Sequence, residues 1–289
     1  MEYIKIIVNT WQFNVIMVLI FSVIYNQSYK FAVTGIKKDG ISTVLFEFIG
    51  GLSMLLLIPF FSFKSSFNYW LIFLFIVALI FYTVSDRLQT TVRKNLEVST
   101  FSIINQFSKV FLIIYGLVLF REPVILLKLI GAFIIIIGNI FLFYKKGRFH
   151  FNKYVWLSVI SSFFIATAIV IDVDISKYFN IPLYIMITLI VPSIINFFFE
   201  RCSLLEVFNE FNSERRIWYI ITGLVWGFVI FFTIRAMQLG DVSFVTPIIA
   251  STVLLNVFVA YFLHKEKDNF LRKVISAIIV IIGIILTIV

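Results

Sequence analysis

Reactive and charged residues are scarce in this chain. It holds one cysteine, Cys202, and two histidines, His150 and His264. A single thiol excludes an internal disulfide, and two histidines in separate polar loops leave no cluster of zinc or iron ligands. No metal and no cofactor are expected. Only 13% of the 289 residues are charged, 15 of them acidic and 24 basic. Catalytic patterns are missing as well. Gly35 and Gly40 have phosphate-loop spacing, but Ile41-Ser42 follows where Lys-Ser or Lys-Thr is required. Metalloprotease and nucleophile-elbow patterns are absent too, so the residues do not point to an enzyme.

What fills the chain is apolar. Hydrophobic residues make up 61% and aromatic residues 18%, with a mean hydropathy of +1.06, far above a soluble domain. Apolar runs fall at residues 14–31, 41–61, 69–85, 98–120, 125–144, 154–171, 181–199, 218–234, 243–263 and 271–289. Runs of this kind suit a hydrocarbon core of about 30 Å, which takes roughly 20 helical residues to cross. Only helices or closed barrels satisfy their backbone groups in lipid, so the pattern predicts an all-α integral membrane protein of ten transmembrane helices in the cell membrane. The first run lacks a small-residue cleavage site and reads as a retained helix. A net charge of +9 carried in short loops points to anionic lipid headgroups as partners rather than nucleic acid. The loops after the first, third, fifth, seventh and ninth runs carry most of the Lys and Arg, which places both termini outside by the positive-inside rule.

The chain also repeats itself. Shifted by 144 positions, Glu97-Val98-Ser99 falls on Asp241-Val242-Ser243, Arg121-Glu122 on Lys265-Glu266, and Leu127-Lys128 on Leu271-Arg272. Polar coincidences at loop positions carry weight that matching isoleucines do not. The pattern divides the chain into five-helix repeats at 1–149 and 150–289, joined in one membrane unit. Five is odd, so the second repeat enters the membrane inverted. Inverted halves are how secondary carriers build inward-open and outward-open states around a midplane site.

The segments LEVSTFSIINQFSKVFLIIYGLVLFREPVILLKLIGAFIIIIGNIFLFY and LGDVSFVTPIIASTVLLNVFVAYFLHKEKDNFLRKVISAIIVIIGIIL resemble the paired repeats of EamA-type transporters of the drug/metabolite transporter superfamily. Each has a Ser before one helix, a basic-acidic pair after it, then a Gly-containing apolar helix, although Ile275 stands where the first repeat has Gly131. The resemblance implies export or exchange of a small metabolite or drug, and cytoplasmic termini. Orientation thus stays open between the charge pattern and the resemblance.

Ionisable groups inside spans mark candidate sites, because each costs at least about 2.5–3.5 kcal/mol at a helix centre by insertion scales. Lys109 stands foremost, with Asn105 at i−4 on its helix face and Gln106 beside it. A cation there suits an anionic or zwitterionic small molecule, while an ion pair with Glu47 is the structural alternative. Glu47 is also a candidate for exchanging a coupling proton. The ninth run adds a polar stripe of Thr246, Ser251, Thr252 and Asn256 below Pro247. Tyr25 and Asn26 offer hydrogen bonds near the end of the first run, as Asp172 and Asp174 do after the sixth; near helix ends the expected role is interfacial solvation, with gating as the alternative. Trp226 and Tyr115 are mid-span aromatics able to stack on a substrate. Gly223 and Gly227 have the GxxxG spacing of close helix packing. Two rival readings stay open, a membrane-embedded enzyme on lipid-linked substrates and a non-transporting accessory protein.

Overall fold

A computed structural model describes residues 10–63, 68–118, 126–145, 148–149, 152–240, 242–250, 252–265 and 268–286. The first three helices are α1 (Trp11–Val33), α2 (Asp39–Ser53) and α3 (Tyr69–Asn95). Short 3-10 turns over Met54–Leu56 and Ile58–Phe60 prolong α2. Next come α4 (Val98–Ile104), α5 (Phe107–Val118) and α6 (Leu126–Phe143). A two-residue antiparallel pair, Tyr144–Lys145 with Arg148–Phe149, leads to α7 (Lys153–Ile175) and α8 (Ile181–Phe199). The rest comprises α9 (Leu204–Phe211), α10 (Arg216–Leu239), α11 (Val242–Ala250), α12 (Thr252–Leu263) and α13 (Phe270–Leu286).

By length and composition, six helices among the described residues are long and apolar enough to cross a membrane: Trp11–Val33, Asp39–Phe60, Tyr69–Asn95, Lys153–Tyr178, Ile181–Phe199 and Arg216–Leu239. Their surfaces agree, since large apolar side chains such as Ile16, Ile72, Phe73, Trp156 and Phe198 are exposed. The protein is therefore a multi-pass membrane protein with lipid around its rim.

Two expected boundaries move. The third run ends at residue 85 in the sequence reading, where Asp86 and Arg87 break the hydropathy, yet α3 continues to Asn95. The physical reason is burial among helices: Asp86, Gln89, Thr90 and Arg93 point inward, so their polarity is met by protein and not lipid. The fourth run is not one helix. It breaks at Asn105 and Gln106, where the amides of Gln106, Ser108 and Lys109 each bond to the carbonyl three residues back, at 3.1, 3.1 and 2.9 Å. Pro247 lies within α11, while Ser251, Arg121-Glu122 and Glu266 lie outside the described residues.

Helix α10 packs along α1 and α2, α3 along α7, α8 along α2, and α6 along α13. The closest approach is that of α2 to α10, and glycine permits it. A Cβ added at Gly227 would lie 2.6 Å from the Gly50 carbonyl oxygen, and one at Gly223 would lie 2.6 Å from Ile49 Cβ. The GxxxG reading of α10 as a packing surface is thereby supported. At one end of the bundle, Arg87 pairs with Glu200 at 2.5 Å, Lys94 with Asp39 at 2.8 Å and Arg215 with Glu210 at 2.7 Å, tying α2, α3 and α8 together beside α10. Beside them α9 begins in a capping box in which Glu206 accepts from the backbone N–H of Ser203, which holds its carboxyl below the usual range.

Gly227→Val should therefore lower the stability of detergent-purified protein by about 1–3 kcal/mol through overpacking. Thermal unfolding measures it, and the lipid-facing change Ile72→Leu should leave the midpoint in place.

Candidate functional site

A cavity of about 120 Å³ lies between α1, α3, α4, α5, α7, α10, α11 and α12. Helix α3 contributes Tyr82, Gln89 and Arg93, which recur at the spacing of one helical face. The break between α4 and α5 places Asn105 and Gln106 on the wall, with Ser102 before it and Lys109 after it. Helix α1 adds Ser22, Tyr25 and Asn26, and α12 adds Thr252 and Asn256. Trp226, Ile230 and Thr233 on α10 and Ile165 and Ile169 on α7 also line it.

Arg93 is the group the sequence reading missed, because it was counted as a loop cation. It is only 6% exposed. Its guanidinium lies 4.8 Å from the ring of Tyr25, 4.6 Å from Tyr29 and 4.1 Å from Phe101. Nη1 donates to Asn26 Oδ1 at 2.6 Å and Nη2 to Gln89 Oε1 at 3.3 Å, while Nε has no hydrogen-bond partner. The aromatic cage is itself fixed, since Tyr29 bonds to Thr90 at 2.7 Å and Tyr25 stacks on Trp226 at 4.6 Å. The signal was present in the sequence as Tyr82, Asp86, Gln89 and Arg93, at i, i+4, i+7 and i+11.

Of the residues singled out by sequence, Lys109, Asn105, Gln106, Tyr25, Asn26, Trp226 and Asn256 meet at this cavity. Asn105 Oδ1 accepts from Ser162 at 3.3 Å, Asn256 Oδ1 from Gln27 at 3.1 Å, and Gln106 donates to the Ser102 carbonyl at 2.8 Å. Gln106 Oε1 and Ser102 Oγ are buried without a partner. Thr246 is buried but off the wall, and Ser251 lies outside the described residues.

Glu47 is also off the wall, and its expected ion pair with Lys109 does not form. Its carboxyl, 1% exposed on α2, accepts from Asn196 Nδ2 at 3.1 Å and lies beside the carboxyl of Asp86. Geometry explains the correction: Glu47 faces α3 and α8, whereas Lys109 faces the cavity from α5. Asp172 differs too, for an interfacial, solvated role was expected. It is fully buried, accepting from Tyr82 at 2.6 Å and Tyr184 at 2.5 Å. Asp174 is exposed, as expected, beside Lys177. Tyr115 bonds to Thr167 at 2.5 Å.

Residues 152–289 match the EamA-like transporter family. No curated protein matches. A solved crystal structure of a protein is similar with a TM-score of 0.67 at 11% identity, covering 93% of this chain and 94% of that one, a likeness of fold alone. Fold and cavity define a multi-pass helical membrane protein with a polar chamber enclosed by its helices. Over residues 152–289 the chain is similar to the EamA-like transporter family, a family of membrane transporters.

The Tyr184 hydroxyl is one of two donors to a fully buried carboxyl, so Tyr184→Phe should cost about 1–3 kcal/mol. Unfolding by detergent titration measures the loss, and the half-exposed Tyr178→Phe should stay within about 0.5 kcal/mol of wild type.

Proposed function

We propose that this protein is a secondary carrier that moves a small metabolite or drug across the cell membrane by alternating access. The observation that carries the reading is the chamber itself, in which polar side chains from α1, α3, α5 and α12 converge at the centre of an apolar bundle. Polar groups inside a membrane are expensive, and they persist where a pathway needs them.

The mechanism rests on two inverted five-helix halves, residues 1–149 and 150–289. The packing supports this division. Shifted by 144, α1 falls on 155–177, where α7 runs Lys153–Ile175, and α3 falls on 213–239, where α10 runs Arg216–Leu239. The contacts of α1 with α10 and of α7 with α3 are then the same contact made twice. In the same frame α4 and α5 correspond to α11 and α12, and α6 to α13, which brings the spans to ten. Rocking one half against the other would open the chamber to each side in turn.

For coupling, the neighbouring buried carboxyls of Glu47 and Asp86 form a proton-binding pair. Two like charges buried together cannot both ionise cheaply, so the pair has a proton to release and regain. It faces Asn196 on α8 and, along α3, Arg93, with Tyr25 and Tyr29 of α1 nearby.

Purified protein in liposomes, screened against amino acids, sugars and nucleobases, should accumulate at least one class of solute above protein-free vesicles. Lys109→Ala should abolish that uptake with membrane yield intact, and Glu47→Gln should remove its dependence on a pH gradient. Normal kinetics in Lys109→Ala would refute the site, and unchanged proton dependence in Glu47→Gln would refute the coupling. Vesicles that move nothing would favour an accessory role.

A further inference from the structure

We infer that the chamber binds an organic anion, with Arg93 and Lys109 as its two cationic contacts and the Tyr25–Trp226 stack as the wall for a flat apolar body. The inference deepens the carrier reading and rests on it for why a chamber exists at all. The binding claim itself is drawn from the chamber's chemistry.

The charged residues on the wall are Arg93 and Lys109, both cations, with no acid among the described lining residues. Neither cation forms an ion pair among those residues. At hydrogen-bond distance Arg93 meets neutral oxygens, and around it aromatic faces, with the Asp86 carboxyl acting on it from further along α3. Asp86, two turns back along α3, lies beside Glu47 and is not on the chamber wall. The Lys109 ammonium has no hydrogen-bond partner among the described residues, and its expected partner Glu47 is engaged elsewhere. Two cations on one chamber wall, without an ion-paired acid there, lose part of their hydration, which is costly unless an anion completes them.

The spare hydrogen-bonding capacity has the matching sign. Arg93 Nε–H is an unused, buried donor, and the hydroxyl of Ser102 is buried and unpartnered. With the Lys109 ammonium they offer three kinds of donor, which suits the oxygens of a carboxylate or phosphate. Gln106 Oε1 is the one unpartnered acceptor, placed to take a hydroxyl or amide N–H of the ligand. An ammonium group would find no carboxylate on the wall, which argues against a cationic or zwitterionic ligand. Beside Arg93, the Tyr25 and Trp226 rings stack at 13° between planes, so the wall presents a flat aromatic surface.

The test uses the full-length protein in detergent and four probes of one shape: benzoate, benzamide, benzylamine and 4-(aminomethyl)benzoate. Thermal shift and equilibrium binding should show benzoate stabilising the protein, with the other three at least about tenfold weaker, as expected for a charge-assisted contact. Arg93→Gln and Lys109→Gln should each weaken benzoate about tenfold or more, and Arg93→Lys should recover part of the loss. If Arg93→Gln does not fold, Lys109→Gln and Arg93→Lys carry the comparison. Equal or tighter binding of the amide, amine or zwitterion would overturn the inference, as would undiminished benzoate affinity in Lys109→Gln or no response to any probe. Benzoate that binds but is not moved by proteoliposomes would overturn the carrier reading and leave the anion site standing. Transport of neutral solutes alone would do the reverse.

Discussion

A guanidinium held deep among membrane-spanning helices constrains everything around it. Arg93 sits at 6% exposure where water is excluded, and each helix near it supplies something that makes this tolerable. Helix α1 gives two aromatic faces and the Asn26 carbonyl, α3 gives Gln89, and α4 gives Phe101. Aromatic faces attract a desolvated cation, by about 2 kcal/mol or more per favourable contact, but they do not neutralise it. The residual charge is what the chamber has to offer a ligand.

The frame and the chemistry differ in symmetry. On the proposed repeat the helices pair off cleanly, α1 with α7 and α3 with α10. The ionisable groups do not. Shifted by 144, Glu47, Asp86, Arg93 and Lys109 fall on Val191, Ile230, Met237 and Val253. Charge on the wall and in the acidic pair therefore comes from the first half, while the second half supplies Trp226, Thr252 and Asn256. A symmetric scaffold that rocks and an asymmetric site that binds are compatible, since movement needs matched packing and recognition needs unlike groups.

Much of this was legible in the sequence, for physical reasons. Lys109, Asn105, Gln106 and Asn256 stood out because polar side chains are rare in apolar runs, and the structure brings all four to one wall. The GxxxG of α10 showed a close approach because only glycine leaves room for a neighbouring backbone. Arg93 and Asp86 were hidden because hydropathy treats every polar residue as an end of span. It cannot distinguish a helix leaving the membrane from one turning a polar face inward. The Glu47–Lys109 pair failed for a related reason, as opposite charges at similar depth need not lie on facing helix surfaces. The break at Asn105-Gln106 carried no glycine or proline to announce it.

The central claim is that one chamber is reached from both sides of the membrane. It can be tested directly because the chain has a single cysteine, Cys202, which can be replaced by serine. In that background Thr233→Cys places one thiol on the chamber wall, away from Arg93 and Lys109. A membrane-impermeant maleimide added from outside to right-side-out vesicles, and separately to inverted ones, should label this thiol in both. Labelling from one side only, with and without a solute that binds, would contradict alternating access.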